Sequence, residues 1–253
     1  LVQGLRLEQA DWAYDKEAAK SSGRDSLRAN NFAAELAASY AYRDTGKVYL
    51  RYERGFTHPD GIQSADDFGS EILPSTVQEE IYDLYELGWR EKFGVSQLSV
   101  TAFYSQTDNQ IDRFLSFSEN GLIRRSLNLY DTKRHGLDIS LRQKLGKWEL
   151  TEGYTYLKGR SEYSKAGREF MINAGGNMLD WTQQSLKAVP KHKAMLRAQY
   201  SPDDKWSLAA QYNYVGRYNN FIEDKLKEPG FNPTRWAIVQ IECNVLTVSL
   251  ACE

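Results

Sequence analysis

Cysteine is nearly absent: the 253 residues hold two, Cys243 and Cys252, and none before position 243. A disulfide scaffold is therefore excluded, and so is a thiolate metal site, because two late cysteines lack the spacing of one. Charge of one sign is missing too. Thirty-two basic residues face 34 acidic ones, a formal net charge of −2, without the basic excess that marks a nucleic-acid partner. No apolar run reaches 18 residues, so no transmembrane helix is written in the chain. The opening Leu1-Val2-Gln3-Gly4-Leu5-Arg6 lacks the basic and then apolar pattern of a secretory leader. At 41% apolar residues the chain is nevertheless too hydrophobic to stay unfolded. One membrane architecture survives these exclusions, because a barrel strand needs only every second residue to be apolar.

Aromatic residues are plentiful, with 16 Tyr, 10 Phe and 6 Trp, and they sit in a period-two pattern. In KWSLAAQYNYVGRY (205–218) one face takes Trp206, Leu208, Ala210, Tyr212 and Tyr214. The preceding HKAMLRAQY sets Ala194, Leu196, Ala198 and Tyr200 against Lys193, Met195, Arg197 and Gln199, and Ser201-Pro202-Asp203-Asp204 makes the turn. The unit recurs upstream. Phe32 to Tyr42 alternate and return through Val48, Leu50, Tyr52 and Phe56, with Arg54 as the exception. Tyr85, Leu87 and Trp89 lead to Leu98, Val100, Ala102 and Tyr104. Leu137, Ile139 and Leu141 lead to Trp148, Leu150, Tyr154 and Tyr156. Glu152 interrupts the last face, which predicts a bulge or a local change of phase there.

The connections alternate between short and long. Turns near 44–46, 93–96, 144–147 and 201–204 span a few residues; polar stretches at 14–31, 57–80, 106–126, 158–189 and 217–233 read as long loops. Compact soluble domains rarely carry several structureless loops of that length, whereas outer-membrane barrels join strands by short periplasmic turns and long outer loops. Segments such as 32–42, 97–105 and 206–214 match the roughly 9–11 residues of a tilted membrane strand. Rings gather at strand ends, as interfacial girdles require. A soluble antiparallel sheet with an apolar core is the competing reading, but Ala34, Ala38, Ala102, Ala194 and Ala210 suit a lipid contact better than a close-packed interior.

Four segments carry a resemblance. VYLRYERGFTHPDG (48–61), YELGWREKFGVSQLSVTAFYSQTDNQI (85–111), RHGLDISLRQKLGKWELTEGYTYLKG (134–159) and VPKHKAMLRAQYSPDDKWSLAAQYNYVGRY (189–218) resemble, in serial order, the C-terminal part of the barrel of TonB-dependent outer-membrane receptors. The resemblance implies an all-β, antiparallel transmembrane β-barrel of which this chain supplies about ten strands out of 22. These are expected near 2–12, 32–43, 47–56, 81–92, 97–105, 126–143, 147–157, 191–200, 205–217 and 234–242, with an eleventh at 245–250. Residues 1–253 then form a partial barrel domain, and the plug domain and the TonB-contacting segment lie outside it. The ending WAIVQIECNVLTVSLACE departs from the aromatic terminal strand of the family. The implied function is active transport at the bacterial outer membrane, driven by TonB, of an iron chelate such as a ferric siderophore. Expected partners are that chelate or another metal chelate, TonB, the plug, and outer-membrane lipid with lipopolysaccharide. No resident cofactor, resident metal or enzymatic activity is implied. A small outer-membrane barrel enzyme and an adhesive barrel that binds protein through its loops are the alternatives.

Opposite the apolar stripe, Glu35, Arg43, Arg51, Glu53, Glu86, Arg90, Asp138, Arg142, Arg197 and Gln199 are expected to face the lumen, where they meet the plug or a wet channel. A solvated sheet face is the plain alternative. Candidate cargo contacts are His58 and Asp60 at the entry of one long stretch, and Tyr163, Arg168 and Trp181 in another, where ring surface and charge combine. The family's haem importers carry Phe-Arg-Ala-Pro where this chain reads Phe56-Thr57-His58-Pro59, so His58 lacks the context of a haem ligand. No nucleophile, base and orienting acid stand in a catalytic arrangement.

Overall fold

The structure is a computed structural model that describes the chain except for residues 18–21, 60–64, 69–71, 75–76, 119–120, 174–183, 187–188, 204, 217, 219–235, 246–247 and 253. Its strands are β1 (Val2–Glu17), β2 (Ser22–Ala41), β3 (Gly46–Thr57), β4 (Ala65–Phe68), β5 (Ile72–Pro74), β6 (Glu80–Phe93) and β7 (Ser96–Ser118). There follow β8 (Gly121–Leu145), β9 (Trp148–Tyr163), the helix α1 (Lys165–Asn173), β10 (Gln184–Ser185), β11 (His192–Tyr200), β12 (Trp206–Val215), β13 (Trp236–Val245) and β14 (Val248–Cys252). Eleven strands lie side by side in chain order, β1-β2-β3-β6-β7-β8-β9-β11-β12-β13-β14. Each pairs antiparallel with the next, as in an up-and-down barrel wall. β4 and β5 form a small side hairpin against β8, and β10 adds to β9. No described helix is long and apolar enough to cross a membrane.

Turn chemistry sets the registers. Phe93 pairs with Ser96 and Leu145 with Trp148, which leaves the two-residue turns Gly94-Val95 and Gly146-Lys147. The glycines take φ of +57° and +63°, values that side chains with a Cβ rarely adopt and that match the twist of a hairpin with a primed turn. From these anchors the ladders run unbroken through the expected span. Leu50 faces Leu87, Leu87 faces Ala102, Ala102 faces Leu137 and Leu137 faces Tyr156, one continuous row on a single face.

That face is apolar and uncovered. Leu50 is 60% exposed, Leu87 61% and Leu208 42%. A contiguous apolar wall of this size is not left to water in a soluble protein. Rings border it on both sides. Near the short turns Trp148 stacks on Tyr200 with centroids 4.8 Å apart, and Tyr200 meets Trp206 at 6.0 Å. Toward the long connections Tyr52 meets Tyr85 at 5.1 Å and Tyr85 meets Tyr104 at 6.3 Å. These are the two interfacial girdles of a membrane barrel, with the apolar band between them.

Three expectations are corrected. The stretches 14–31, 106–126 and 158–189 are not wholly loops: β1 and β2 continue to Glu17 and from Ser22, β7 and β8 meet across Ser118 and Gly121, and β9 runs on into α1. The ladder there needs only backbone groups, so polar segments pair as strands without an apolar alternation to announce them. No bulge occurs at Glu152, which pairs in phase with Leu141 and Leu196. The irregularity lies in β7 instead, between Thr107 and Ile111, with Asn109 at φ +58°. The polar stretch 57–80 contains β4 and β5; most of 217–233 lies outside the described residues.

In the full-length protein refolded into bilayers, Ile139→Arg on the apolar face is expected to destabilise by about 2–4 kcal/mol in denaturant titration. Thr155→Arg on the opposite face, directly across from Asp138, is expected to change stability by less than about 1 kcal/mol. Equal losses at both positions would contradict the assignment of faces.

Candidate functional site

The polar face of β2, β3 and β6 is organised around Arg51. Its guanidinium reaches Glu35 at 2.8 Å and Glu86 at 3.4 Å, and it also binds the Glu53 carboxylate. The pleat explains the convergence: Glu35 pairs with Glu53, and Arg51 with Glu86, so all four point to one side of three adjacent strands. One cation against three carboxylates leaves two negative charges, and Tyr82 donates its hydroxyl to Glu53 at 2.8 Å. Partial exposure screens each pair, so their value lies in position more than in stability. Neighbouring rings lie flat on glycines. A Cβ on Gly88 would come within 1.9 Å of the Tyr49 ring, and one on Gly136 within 2.4 Å of Phe103. Tyr49 also bonds Thr101 at 3.0 Å and carries Arg90 over its ring at 5.4 Å.

Toward the short turns the same face becomes basic. A cavity of about 450 Å³ is lined by Arg43, Lys47, Arg90, Lys92 and Arg142, with Asp44 and Glu91 as the acidic members. Lys47 lies directly opposite Arg90. Arg142 is bound to Glu149 at 2.7 Å, and Tyr42 donates to Glu91.

Toward the long connections the candidate cargo residues separate into two places. His58, just beyond β3, bonds Glu8 of β1 at 2.9 Å and lies 3.7 Å from Glu79, which precedes β6. A second cavity of about 400 Å³ links this corner to the Arg51 cluster, lined by Arg6, Glu35, Glu53, Arg54, Phe56 and Tyr82. Tyr163 lies elsewhere, 5% exposed, its ring 5.2 Å from Tyr130 in a cluster with Leu127 and Leu129 against which Phe170 packs. Arg168 projects from the first turns of α1 and is exposed. Asp138 is exposed on the polar face, and Arg197 reaches Gln199 at 3.5 Å. Asp60 and Trp181 lie outside the described residues.

Sequence reasoning missed the fastener of this outer region. The buried Asn128 carboxamide accepts from the Gln78 N–H at 2.7 Å and donates to the carbonyls of Gln78 at 2.8 Å and Asn109 at 2.7 Å. The Ile111 N–H donates to Glu80 at 2.7 Å, and Thr132, fully buried, donates to Gln110 at 2.6 Å. The β7 irregularity thus bonds to the segment entering β6. Asn128 sits in an ordinary alternating stretch, and nothing in its neighbours announces three backbone partners.

A meander of tilted-strand length with one apolar girdled face and one polar face is the wall of an outer-membrane β-barrel. The chain belongs to the TonB dependent receptor-like, beta-barrel family, whose profile matches residues 1–234. It is 26% identical to the rhizobactin receptor of Rhizobium meliloti (strain 1021) over 171 residues, an alignment covering 59% of this chain and 22% of that protein. Its fold matches the copper transporter OprC with a TM-score of 0.72 at 14% identity, over 97% of this chain and 38% of the other. It also matches the ferric yersiniabactin uptake receptor FyuA of Yersinia pestis at 0.64 and 15%, over 97% and 35%. The chain therefore spans between about a fifth and two fifths of these relatives' length. The family is one of outer-membrane transport receptors, not enzymes.

Asn128→Ala removes all three bonds and leaves backbone groups of Gln78 and Asn109 without them, each loss costing about 1–3 kcal/mol where the group is buried. Hydrogen exchange in the full-length protein is expected to accelerate at least tenfold at residues 78 and 109–111 and to stay unchanged at 98–104. Unchanged protection at 78 and 109–111 would show that the carboxamide does not hold this region.

Proposed function

We propose that this chain is part of the barrel of a receptor that takes up an iron chelate, with a ferric siderophore as cargo and TonB as the source of work. Family membership carries the proposal, supported by the sequence relationship to a rhizobactin receptor. In this reading the polar face lines the lumen, and a plug domain packs against it. The excess carboxylate around Arg51 receives cationic groups of the plug, while the basic cavity near the short turns receives anionic ones. His58 in one place and Arg168 and Tyr163 in another, with Asp60 and Trp181, are assigned in this reading to the outer surface that meets the cargo. Binding there needs no covalent step: rings and cations recognise an anionic metal chelate by shape and charge, and TonB-driven rearrangement of the plug opens the path.

Iron-starved cells lacking the full-length gene are expected to lose uptake of radiolabelled iron presented as one ferric siderophore from a panel beginning with ferric rhizobactin. Restored uptake should require both the gene and TonB, and the purified receptor should quench its tryptophan fluorescence on binding that chelate. Failure of every ferric siderophore to bind, with uptake unchanged by the deletion, would overturn the proposal.

A further inference from the structure

Inside the apolar face stands one acid with no donor in its own chain. Glu152 lies between Leu150 and Tyr154 on β9, exposed, with Leu141 of β8 and Leu196 of β11 directly opposite. It is four residues beyond Trp148 of the lower girdle, about 14 Å along the strand and about 10 Å higher at a tilt of about 40°. That is well inside an apolar band about 25 Å tall. An acid at such a depth needs a donor, because no water is there to serve it. Its neighbours do not supply one. The Tyr154 hydroxyl is paired with Nδ1 of His192 at 2.8 Å. Gln143, opposite Leu150, gives its amide to Ser96 at 3.1 Å. Leu141, Ile139, Leu196, Ala194 and Ala198 complete the surroundings and are hydrocarbon.

A matching donor lies on the same surface, separated from the acid by a leucine. Leu196 faces Glu152 on one side and Tyr212 of β12 on the other, so the three form one cross-strand row. At about 4.8 Å per strand, Glu152 and Tyr212 stand about 10 Å apart. Tyr212 is 43% exposed. Among the described residues none bonds its hydroxyl or the Glu152 carboxyl. Around Leu196 the surface is low: Ala194 and Ala198 flank it on β11, and Ala210 of β12 lies opposite Ala198. Small side chains of this kind let two membrane-embedded surfaces approach closely.

An acceptor and a donor set on either side of an apolar centre make a self-complementary patch, in which residue i of one copy meets j of the other and j meets i. We propose that β9, β11 and β12 form the interface of a homodimer in the plane of the membrane. Leu196 packs on Leu196 of the second copy beside a two-fold axis along the membrane normal, and each Glu152 accepts the Tyr212 hydroxyl of the other copy. At the strand tilt the row slants by about 6 Å between its ends, a step that these two long side chains span. Lipid does not substitute for the second copy, since hydrocarbon presents no donor at that depth. The interface is independent of the cargo and rests only on the outer-membrane placement of the apolar face.

In outer membranes carrying the full-length receptor with Cys243→Ser and Cys252→Ser, Leu196→Cys is expected to give a disulfide-linked homodimer on mild oxidation. Ala102→Cys, on the same face but three strands away on β7, should give none. In the purified receptor reconstituted into bilayers and labelled for energy transfer, Glu152→Leu and Tyr212→Phe should each raise the dimer dissociation constant at least tenfold. The double variant should do no more than either single one, because each removes the same pair of bonds, and Leu87→Ala should change nothing. Heat-modifiable migration confirms that each variant is folded. A wild-type receptor that stays monomeric in bilayers and gives no Leu196→Cys homodimer would overturn the proposal. So would undiminished dimerisation of folded Glu152→Leu, or cross-linking of Leu196→Cys only to a different protein.

Discussion

Everything in this architecture depends on the antiparallel ladder. In hydrocarbon no water is present to satisfy a backbone N–H or C=O, and each unmet group costs several kcal/mol. Strand-to-strand pairing meets that demand, but it fixes the side chains as a consequence: with a repeat of two, every residue is assigned to lipid or to the polar side as soon as one pair is set. The glycine turns at 94 and 146 set those first pairs. A slip of one residue on β8 would turn Asp138 and Arg142 into lipid and hide Ile139 and Leu141, so the register is held by the charges as firmly as by the apolar row.

The same rule governs the two faces differently. On the polar side, charges cluster without strict neutralisation, as around Arg51 or in the basic cavity near the short turns, because that side is solvated or met by another polar surface. On the apolar side, the cation Arg54 stands at the border, and there it is matched to its surroundings. Arg54 carries its own counter-ion in Asp83. Glu152 is the one acid inside the apolar row of β9, between Leu150 and Tyr154 and opposite Leu141 and Leu196; no described residue of its own chain offsets it.

Alternation and turn residues made the wall legible in the sequence, down to which residues share a face. Leu50, Leu98, Ile139 and Leu208 fall on the exposed apolar side as the period-two pattern requires, and Glu35, Arg51, Glu53 and Glu86 converge opposite them. Above the upper girdle the signal disappears for a physical reason. Pairing needs only backbone groups, so the upper parts of β7 and β8 resemble loops in composition while pairing as strands. Glu152 misled because a bulge is one way to remove a charge from an apolar row, and the ladder kept its phase instead. The Asn128 fastener had no signal at all: a side chain's backbone partners are set by folding across some 50 residues of sequence.

An isolated hairpin in water is marginal, so the tall β7–β8 extension needs cover to stand. It has cover on both sides of one short stretch. All of residues 126–130 are buried, with Asn128 tied to the segment before β6 and Leu127, Leu129 and Tyr130 packed with Tyr163 and Phe170. Helix α1 is fixed to the same stretch: Ser164 donates its hydroxyl to the Asn128 carbonyl and accepts the Gly167 N–H at 3.0 Å. Arg168 is thereby mounted on a braced support and not on a free loop. His58 is held independently through Glu8 of β1. Under the function proposed above, two separately braced groups would set the distance that a cargo has to span, and rigid placement of a few contacts is how a surface gains selectivity without losing affinity to the ordering of loops.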